Sequence, residues 1–257
     1  MEYGIIPVCL IACIFSTSFS ALAADVNGAK IEQKTTSYSV GISATRIIYD
    51  PNSRGASVTI NNPNDYPVLA MSEVMNEKMG RQNDFFVVPP LFRLDGKQSS
   101  KIRLMLKTPE QIRKDRETLY WFCSTGIPPE QNDVWSDYKQ NRLKQEKAVF
   151  DVKVKLKQCI KIFVRPSDLK SKKTDDESSS VTWVREKKGI IAKNSSPFYI
   201  NPKQLEFGNA KIEMPEYIPP FGERLYELKS DSSVKEVKWT TINDFGGDSK
   251  PYTSIVK

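Results

Sequence analysis

The chain has 257 residues, of which 39% are hydrophobic and 27% are charged, a composition that excludes a largely disordered chain and a polytopic membrane protein. The absence of histidine excludes every site built on that residue, including a Ser-His-Asp triad and an HExxH zinc centre. The 38 basic and 31 acidic residues leave a net charge of +7, but no nucleic-acid-binding motif accompanies it, so we expect no nucleic-acid partner.

An apolar run near the N-terminus predicts a secretory signal peptide. Residues 5–19 are mainly apolar, and small residues follow up to Ala23 and Ala24. A short apolar core before a small-x-small site is typical of a cleaved signal. We expect cleavage after Ala23, with Ala24 and a buried N-terminal helix as alternatives. Since no later stretch has the ~20 apolar residues of a membrane helix, the mature chain should be exported without a membrane segment.

The cysteines agree with export. Cys9 and Cys13 belong to the signal, so only Cys123 and Cys159 remain in the mature chain. Two cysteines in an exported protein predict one disulfide bond, and two unpaired buried thiols are the alternative. Because two cysteines without histidine make a poor metal site, we expect no metal ion.

Short strands separated by turns fill the first part of the mature chain. Tyr38, Val40, Ile42 and Ala44 alternate with other residues along a strand predicted at 37–44, and residues 46–49 continue this strand. Proline, glycine and asparagine separate the strands, and only residues 109–117 could form a helical turn. This pattern favours an all-β fold built from sandwiches. Further strands are predicted at 56–60, 68–75, 85–88, 101–106, 120–125 and 150–164.

A second domain is predicted after Val164, because Pro166 cannot continue a central strand. Residues 170–180 are polar and predict a loop, and Gly246 lies in a predicted hairpin turn. Strands resume at 181–184, 189–192, 198–200, 223–228, 234–242 and 252–256. The predicted division is a signal peptide at 1–23, an N-terminal domain at 24–165 and a C-terminal domain at 166–257.

The last predicted strand of the first domain is strongly amphipathic. Phe150, Val152, Val154 and Leu156 alternate with charged residues. Such a strand either covers its own sandwich core or lies at an edge where its apolar residues contact another protein. The polar segment 130–147 before it favours the second interpretation, since a loop of that length is usually functional or disordered.

Two cations, Arg46 and Lys161, lie near the ends of predicted strands. They could bind an anion such as a carboxylate, although each alone is more typical of a solvated surface charge. Asn194 begins a weak match to a glycosylation acceptor. No nucleophile or paired-carboxylate motif stands out, so no catalytic residue is predicted. A secreted hydrolase that uses carboxylates stays an alternative, because distances in space are invisible in one sequence.

Six short segments share their order and spacing with a known family. They are 115–123 (DRETLYWFC), 126–129 (GIPP), 159–166 (CIKIFVRP), 194–200 (NSSPFYI), 217–220 (YIPP) and 242–247 (INDFGG). Together they resemble the periplasmic pilus-assembly chaperones of the PapD-like family over about residues 40–256. Arg113 and Ser124 depart from the family pattern at positions that do not bind. The two cysteines, the long loop and the long N-terminal strand resemble the long-loop (FGL) subfamily, which serves capsule-like and afimbrial adhesin fibres.

The resemblance implies two immunoglobulin-like sandwiches in an L arrangement, with neither cofactor nor catalysis. It also implies roles for individual residues. Arg46 and Lys161 match the pair that anchors the C-terminal carboxylate of a fibre subunit. The donor strand, which completes the subunit's fold, matches Ala148, Phe150, Val152, Val154 and Leu156. The N-terminal strand contacts match Tyr38, Val40 and Ile42, the interdomain charge trio matches Glu117, Arg165 and Asp244, and the disulfide matches Cys123 and Cys159.

The implied partners are a fibre subunit with an incomplete immunoglobulin-like fold and an outer-membrane usher, and the implied location is the periplasm. Self-association of the free protein through its apolar strands stays open. An exported β-sandwich adhesin, or another binding module, is the alternative function. It would explain the strands and the disulfide, but not two cations at matching ends of two apolar strands.

Overall fold

The computed structural model describes residues 32–130, 133–135, 149–172, 174–228 and 234–257. The predicted signal peptide, Ala148 and most of the segment 130–147 therefore lie outside the described residues. Within the described part of the chain, no helix is long and apolar enough to cross a membrane.

The first domain is built from strands. The strands are β1 (Glu32–Tyr38), β2 (Gly41–Ile42), β3 (Arg46–Tyr49), β4 (Ala56–Asn61), β5 (Val68–Asn76), β6 (Phe85–Val88), β7 (Leu91–Leu94), β8 (Ser99–Leu106), β9 (Thr118–Ile127), β10 (Val149–Lys155) and β11 (Lys157–Val164). Hydrogen-bond pairing arranges them in a five-stranded sheet of order β3-β11-β9-β5-β7, a four-stranded sheet of order β2-β4-β8-β6, and the pair β1-β10.

The two larger sheets enclose one hydrophobic core. Side chains that alternate along each strand point to opposite faces, so every second residue enters this core. The alternation is regular in β5, where buried and half-buried residues follow one another along most of its length. Fully buried residues from both sheets meet at the centre, among them Ile60, Ile102, Leu104, Phe122 and Ile162.

The strand predicted at 150–164 is divided at Leu156, because the chain changes its pairing partners there. Before this residue, β10 runs parallel to β1, and after it β11 runs parallel to β3 and antiparallel to β9. The Leu156 N–H donates to Tyr38 O at 3.0 Å, and its carbonyl accepts from Gly126 N at 3.2 Å. As a result, β10 leaves the main sheet and pairs with β1 in a separate two-stranded sheet.

The second domain is a smaller sandwich with its own core around Trp183, Phe198, Phe207 and Trp239. Its elements are the helix α1 (Thr174–Ser178) and strands β12 (Thr182–Glu186), β13 (Gly189–Lys193), β14 (Pro202–Phe207), β15 (Ala210–Glu213), β16 (Glu223–Glu227), β17 (Glu236–Thr241) and β18 (Tyr252–Ile255). The strands form two sheets, of orders β12-β13-β16 and β15-β14-β17-β18. The predicted all-β architecture of two sandwich domains is confirmed.

Three local predictions differ from the structure. The segment 170–180 contains α1, so it is not loop throughout. Residues 198–200 form no regular strand, since only Ile200 makes an isolated bridge. Asn194 is buried and its Nδ2 donates to Phe198 O at 2.7 Å, so this side chain closes a turn and does not present a glycosylation acceptor. The helical turn predicted within 109–117 is present as a 3-10 turn at Pro109–Gln111.

Candidate functional site

The structure places Arg46 and Lys161 side by side at the junction of the two domains. They are direct register partners in the parallel pair of β3 and β11, so their side chains point to the same face. Arg46 Nη1 donates to Ile242 O at 2.9 Å, and Lys161 Nζ donates to Asn201 Oδ1 at 2.7 Å. Both acceptors are uncharged groups of the second domain.

These two cations are held in an unfavourable environment for charge. Burial and the neighbouring charge of Arg46 together lower the pKa of Lys161 to about 8, although the charge of Glu216 partly opposes this. Burial also lowers the pKa of Arg46, although Asp244 and Glu117 partly oppose this. The buried Arg46 Nε has no hydrogen-bond acceptor in the part of the chain that the structure describes. A carboxylate that entered this site would supply both the missing negative charge and the missing acceptor.

Aromatic side chains line the site around Lys161. Its Nζ lies 5.7 Å from the ring centroid of Trp121 and 5.1 Å from that of Tyr217. The Tyr217 hydroxyl donates to Glu77 Oε1 at 2.9 Å, and Trp121 Nε1 donates to Glu77 O at 3.1 Å. Because Tyr217 belongs to the second domain and Glu77 to the first, this wall bridges the domains.

Sequence analysis did not identify these neighbours of Lys161, but one signal could have found Trp121. In an antiparallel pair, a disulfide between directly opposite residues fixes the register of the whole pair. Cys123 is opposite Cys159, so two residues away along each strand Trp121 is opposite Lys161. No comparable signal points to Asn201, which lies on a different domain.

The predicted charge trio also meets at the junction. Arg165 Nε donates to Glu117 Oε1 at 2.8 Å, while Nη1 and Nη2 donate to the two carboxylate oxygens of Asp244 at 2.7 and 2.8 Å. Arg165 Nη2 also donates to Thr174 Oγ1 at 3.0 Å, and Glu117 Oε2 accepts from Tyr199 N at 2.9 Å. Residues from both domains therefore share one network.

In this network the pKa values reflect ion pairing as well as burial, unlike those of Arg46 and Lys161, which burial lowers. Burial lowers the pKa of Arg165, but the hydrogen bond with Asp244 and the charge of Glu117 outweigh it and leave a raised value. Burial raises the pKa of Asp244, but the bonds from Arg165 leave it below its usual range. Burial raises the pKa of Glu117 to about 7, against the lowering effect of Arg165.

Apolar contacts and a glycine complete the junction. Leu119 and Phe163 of the first domain form a small buried cluster with Tyr199 of the second. Gly246, in the turn between β17 and β18, has a φ of +83°, and a Cβ at this position would collide with Thr45 Oγ1. Glycine therefore serves both the backbone conformation of the turn and the close approach of the domains.

The strand β10 presents an exposed apolar row. Phe150 is 61% exposed and Leu156 is 45% exposed, Val154 is also exposed, and Val152 is half-buried. The neighbouring β1 does not cover this row with apolar side chains, since its partners there are polar. They are Gln33 opposite Phe150, Thr35 opposite Val152 and Ser37 opposite Val154. The row is thus a hydrophobic surface on a two-stranded sheet, which is the kind of surface that marks a protein-binding site.

The predicted contacts of the N-terminal strand involve side chains that pack inside the first domain. Tyr38, Val40 and Ile42 are all buried in its core. Their alternation is therefore explained by packing of the chain against its own sandwich. Their contact with a partner, which the family resemblance implied, stays a prediction.

The Sγ atoms of Cys123 and Cys159 are bonded, so the predicted disulfide is present. It joins the opposite residues of β9 and β11 below the point where β10 leaves the sheet. The cross-link therefore lies between the exposed apolar row and the cation pair.

Comparison with known families agrees with this arrangement. Residues 39–170 match the description "Pili and flagellar-assembly chaperone, PapD N-terminal domain". Residues 176–253 match "Pili assembly chaperone PapD, C-terminal domain". Two sandwich domains with a charged junction thus define the class of PapD-like pilus-assembly chaperones, and the chain belongs to this family.

Individual relatives give the same result over nearly the whole chain. Chaperone protein AfaB from Escherichia coli is 38% identical over 211 residues, which cover 82% of this chain and 85% of AfaB. The crystal structure of the E. coli chaperone DraB has 37% identity and a TM-score of 0.76, covering 88% of this chain and 100% of DraB. A structure of the Salmonella enterica SafA pilin in complex with the SafB chaperone gives 31% identity and a TM-score of 0.75, covering 88% of this chain and 100% of the matched one.

Proposed function

We propose that this chain is a periplasmic chaperone that binds, folds and caps fibre subunits by donor-strand complementation. The observation that carries the proposal is the exposed apolar row on β10, which continues along the chain towards the half-buried cations Arg46 and Lys161. Membership of the pilus-chaperone family supports the same function. A structurally similar chaperone, SafB, has been solved in complex with a pilin.

The geometry supports one direction of binding. Lys161 follows Leu156 by five residues, a distance of roughly 17 Å along an extended strand. A subunit segment whose C-terminal carboxylate reached Lys161 would therefore run parallel to β10 and place its backbone beside the apolar row. Anchoring one end in this way fixes the register, and a slip of one residue would turn each apolar side chain to the wrong face.

The energetics are adequate for a stable complex. Complete burial of four fully exposed apolar side chains gives a gross gain of roughly 6–12 kcal/mol, which is an upper limit here because the row is already partly buried. Ordering costs must be subtracted from it. The side chains of the row are Phe150, Val152, Val154 and Leu156. The predicted Ala148 would extend the row, but it lies outside the described residues. The carboxylate would add charge-assisted hydrogen bonds with two cations.

We assign supporting roles to the other residues of the site. The network of Glu117, Arg165 and Asp244 holds the two domains in the orientation that forms the cleft, without contacting the subunit. The Cys123–Cys159 disulfide limits separation of the strands at the base of the donor strand. The long-loop subfamily stays a prediction, since it depends largely on the segment 130–147.

Delivery of the capped subunit to an outer-membrane usher follows as part of this proposal. The reaction is binding and release without catalysis, so exchange with another strand at the usher would free the subunit. The predicted signal peptide supports a periplasmic location.

The test is co-expression of this protein with the fibre subunit encoded beside its gene, followed by pull-down from the periplasm. The wild type should yield a one-to-one complex. Lys161→Ala and Arg46→Ala should each abolish subunit recovery while the chaperone itself stays folded. Lys157→Ala is the matched control, because Lys157 is exposed on the same strand and pairs with Glu73.

The outcomes separate the parts of the proposal. Unaltered yield from both cation variants would defeat the anchoring role of Arg46 and Lys161 but keep the partner. Recovery that survives Phe150→Ser combined with Val154→Ser would defeat the role of the apolar row. Absence of a complex with any neighbouring subunit would favour an exported adhesin.

A further inference from the structure

Asn201 is the uncharged side chain that holds the ammonium of Lys161. It is buried, with only 4% of its surface exposed, and its Oδ1 accepts from Lys161 Nζ at 2.7 Å. Its Nδ2 donates to Tyr199 O at 3.1 Å, and its own carbonyl accepts from Ile242 N at 2.9 Å. The amide is therefore fixed in one orientation, with the oxygen directed at the ammonium.

The type of acceptor matters as much as its position. A lysine ammonium has three N–H donors, of which Asn201 occupies one. An amide oxygen orients the ammonium without neutralising its charge, whereas an aspartate here would form an internal ion pair. The flexible side chain of Lys161 would otherwise lose rotamer freedom when a ligand binds, and an interaction made in advance reduces that cost.

We infer that Asn201 is a positioning residue of the carboxylate site, which holds the Lys161 ammonium in place and leaves its charge available to the incoming carboxylate. The inference rests on the proposed function, because it concerns the same anchor. It adds a residue of the second domain to a site whose two cations both come from the first.

Arg46, the other cation of the site, is also held by an uncharged acceptor. Its Nη1 is held by Ile242 O, an uncharged acceptor of the second domain, while its buried Nε has no acceptor among the described residues. Each cation is thus placed by the second domain through an uncharged acceptor, and carboxylates act on it only from a distance. The carboxylate site exists in this form only when the two domains are in contact.

The experiment compares two synthetic peptides with the C-terminal sequence of the fibre subunit encoded beside the gene, one ending in a free carboxylate and one in an amide. The ratio of their dissociation constants on the full-length chaperone measures recognition of the carboxylate. A purely structural role of Asn201 would weaken both peptides equally and leave this ratio unchanged. The wild type should prefer the free acid by about tenfold or more.

Three variants carry the test. Asn201→Asp should reduce the preference for the free acid to less than about threefold, because the new carboxylate pairs with Lys161. Asn201→Ala should reduce it by a few-fold, because the ammonium loses its fixed position. Asn209→Asp makes the same charge change at an exposed turn of the same domain and should leave the ratio as in the wild type.

The two proposals fail in different ways. Lack of a preference in the wild type would refute the carboxylate anchor itself and the role of Asn201 with it. A wild-type preference that persists in N201D and N201A, both shown by thermal melting to be folded, would refute only the role of Asn201. If N201D does not fold, N201A decides, since it introduces no charge.

Discussion

Two charged clusters lie at the same domain junction and differ in one respect. The guanidinium of Arg165 is surrounded by the carboxylates of Glu117 and Asp244, and its pKa is raised in spite of burial. Within the described residues, the side chains of Arg46 and Lys161 donate their hydrogen bonds to uncharged acceptors, and their pKa values are lowered. The first cluster contains its own hydrogen-bonded carboxylates, whereas no described carboxylate forms a hydrogen bond with the second.

This difference separates a structural use of charge from a binding use. Burying a charge costs free energy unless it is paired and hydrogen-bonded. The Arg165 network meets that condition internally and can stabilise the contact between domains. The pair of Arg46 and Lys161 meets it only when a carboxylate arrives, so part of the cost in the free chaperone is recovered on binding.

The largest expected effect comes from breaking the complete cluster. Arg165→Met would leave Glu117 and Asp244 facing one another without a cation. Removing one partner of a buried ion pair costs about 3–5 kcal/mol, so the free energy of unfolding in urea should fall by that amount.

Arg46→Met is the matched substitution in the incomplete cluster. It removes an unpaired charge and one hydrogen bond to Ile242 O, so its effect on the unfolding free energy should stay within about 1 kcal/mol. Equal losses from Arg165→Met and Arg46→Met would contradict the distinction between the clusters.

A smaller effect of opposite sign is expected for Lys161→Met. Lowering the pKa of Lys161 from 10.5 to about 8 means that folding opposes its charge, which corresponds to about 3 kcal/mol at neutral pH. Part of this is offset by loss of the bond to Asn201, so we expect a gain of about 1–3 kcal/mol in urea unfolding. Lys157→Met, at an exposed site, should change stability by less than about 0.5 kcal/mol.

The same pKa predicts a pH dependence. Between about pH 8 and 10.5 Lys161 is neutral when folded but charged when unfolded, so the unfolded state binds more protons. The free energy of unfolding of the wild type should therefore rise with pH through that range because of Lys161, and Lys161→Met should lack this rise. Parallel stability curves for the two proteins would show that the charge of Lys161 is not opposed by folding.

A further small effect concerns the aromatic wall beside Lys161. Tyr217→Phe keeps the ring next to the ammonium but removes the hydrogen bond to Glu77 across the domains. A single bond of this kind contributes about 0.5–1.5 kcal/mol, so the melting temperature should fall slightly. The free-acid preference in the peptide assay should be retained, and its loss would assign the Tyr217 hydroxyl to the carboxylate site.

The fold was largely predictable where the alternation of side chains is strong. Strands expected at 56–60 and 68–75 appear as β4 and β5. The strand expected at 37–44 with its continuation at 46–49 is divided among β1, β2 and β3. The short β7 was missed because it has only four residues and follows two prolines, which signal a turn. The strands β14 and β15 were missed because their apolar residues are few and a glycine turn interrupts them.

Contacts between distant residues account for what sequence could not show. The polar composition of 170–180 predicted a loop, but Thr174 Oγ1 lies within hydrogen-bonding distance of Arg165 and Asp244, and Ser178 bonds to Thr174 O. The tertiary contacts with Arg165 and Asp244, together with the local bond from Ser178, stabilise the one-turn helix. Asn201 likewise belongs to the site only because the second domain packs against β11, a contact that the sequence does not show.

The site also depends on the turn at Gly246, a position that touches neither Arg46 nor Lys161. Ile242, whose carbonyl holds Arg46, lies four residues before it in the same turn, and Thr45 directly precedes Arg46 in the chain. A methyl group at position 246 would overlap the Thr45 side chain, so that either this side chain or the turn would have to move. The close approach of the turn to Thr45 thus depends on a residue whose contribution is the absence of a side chain.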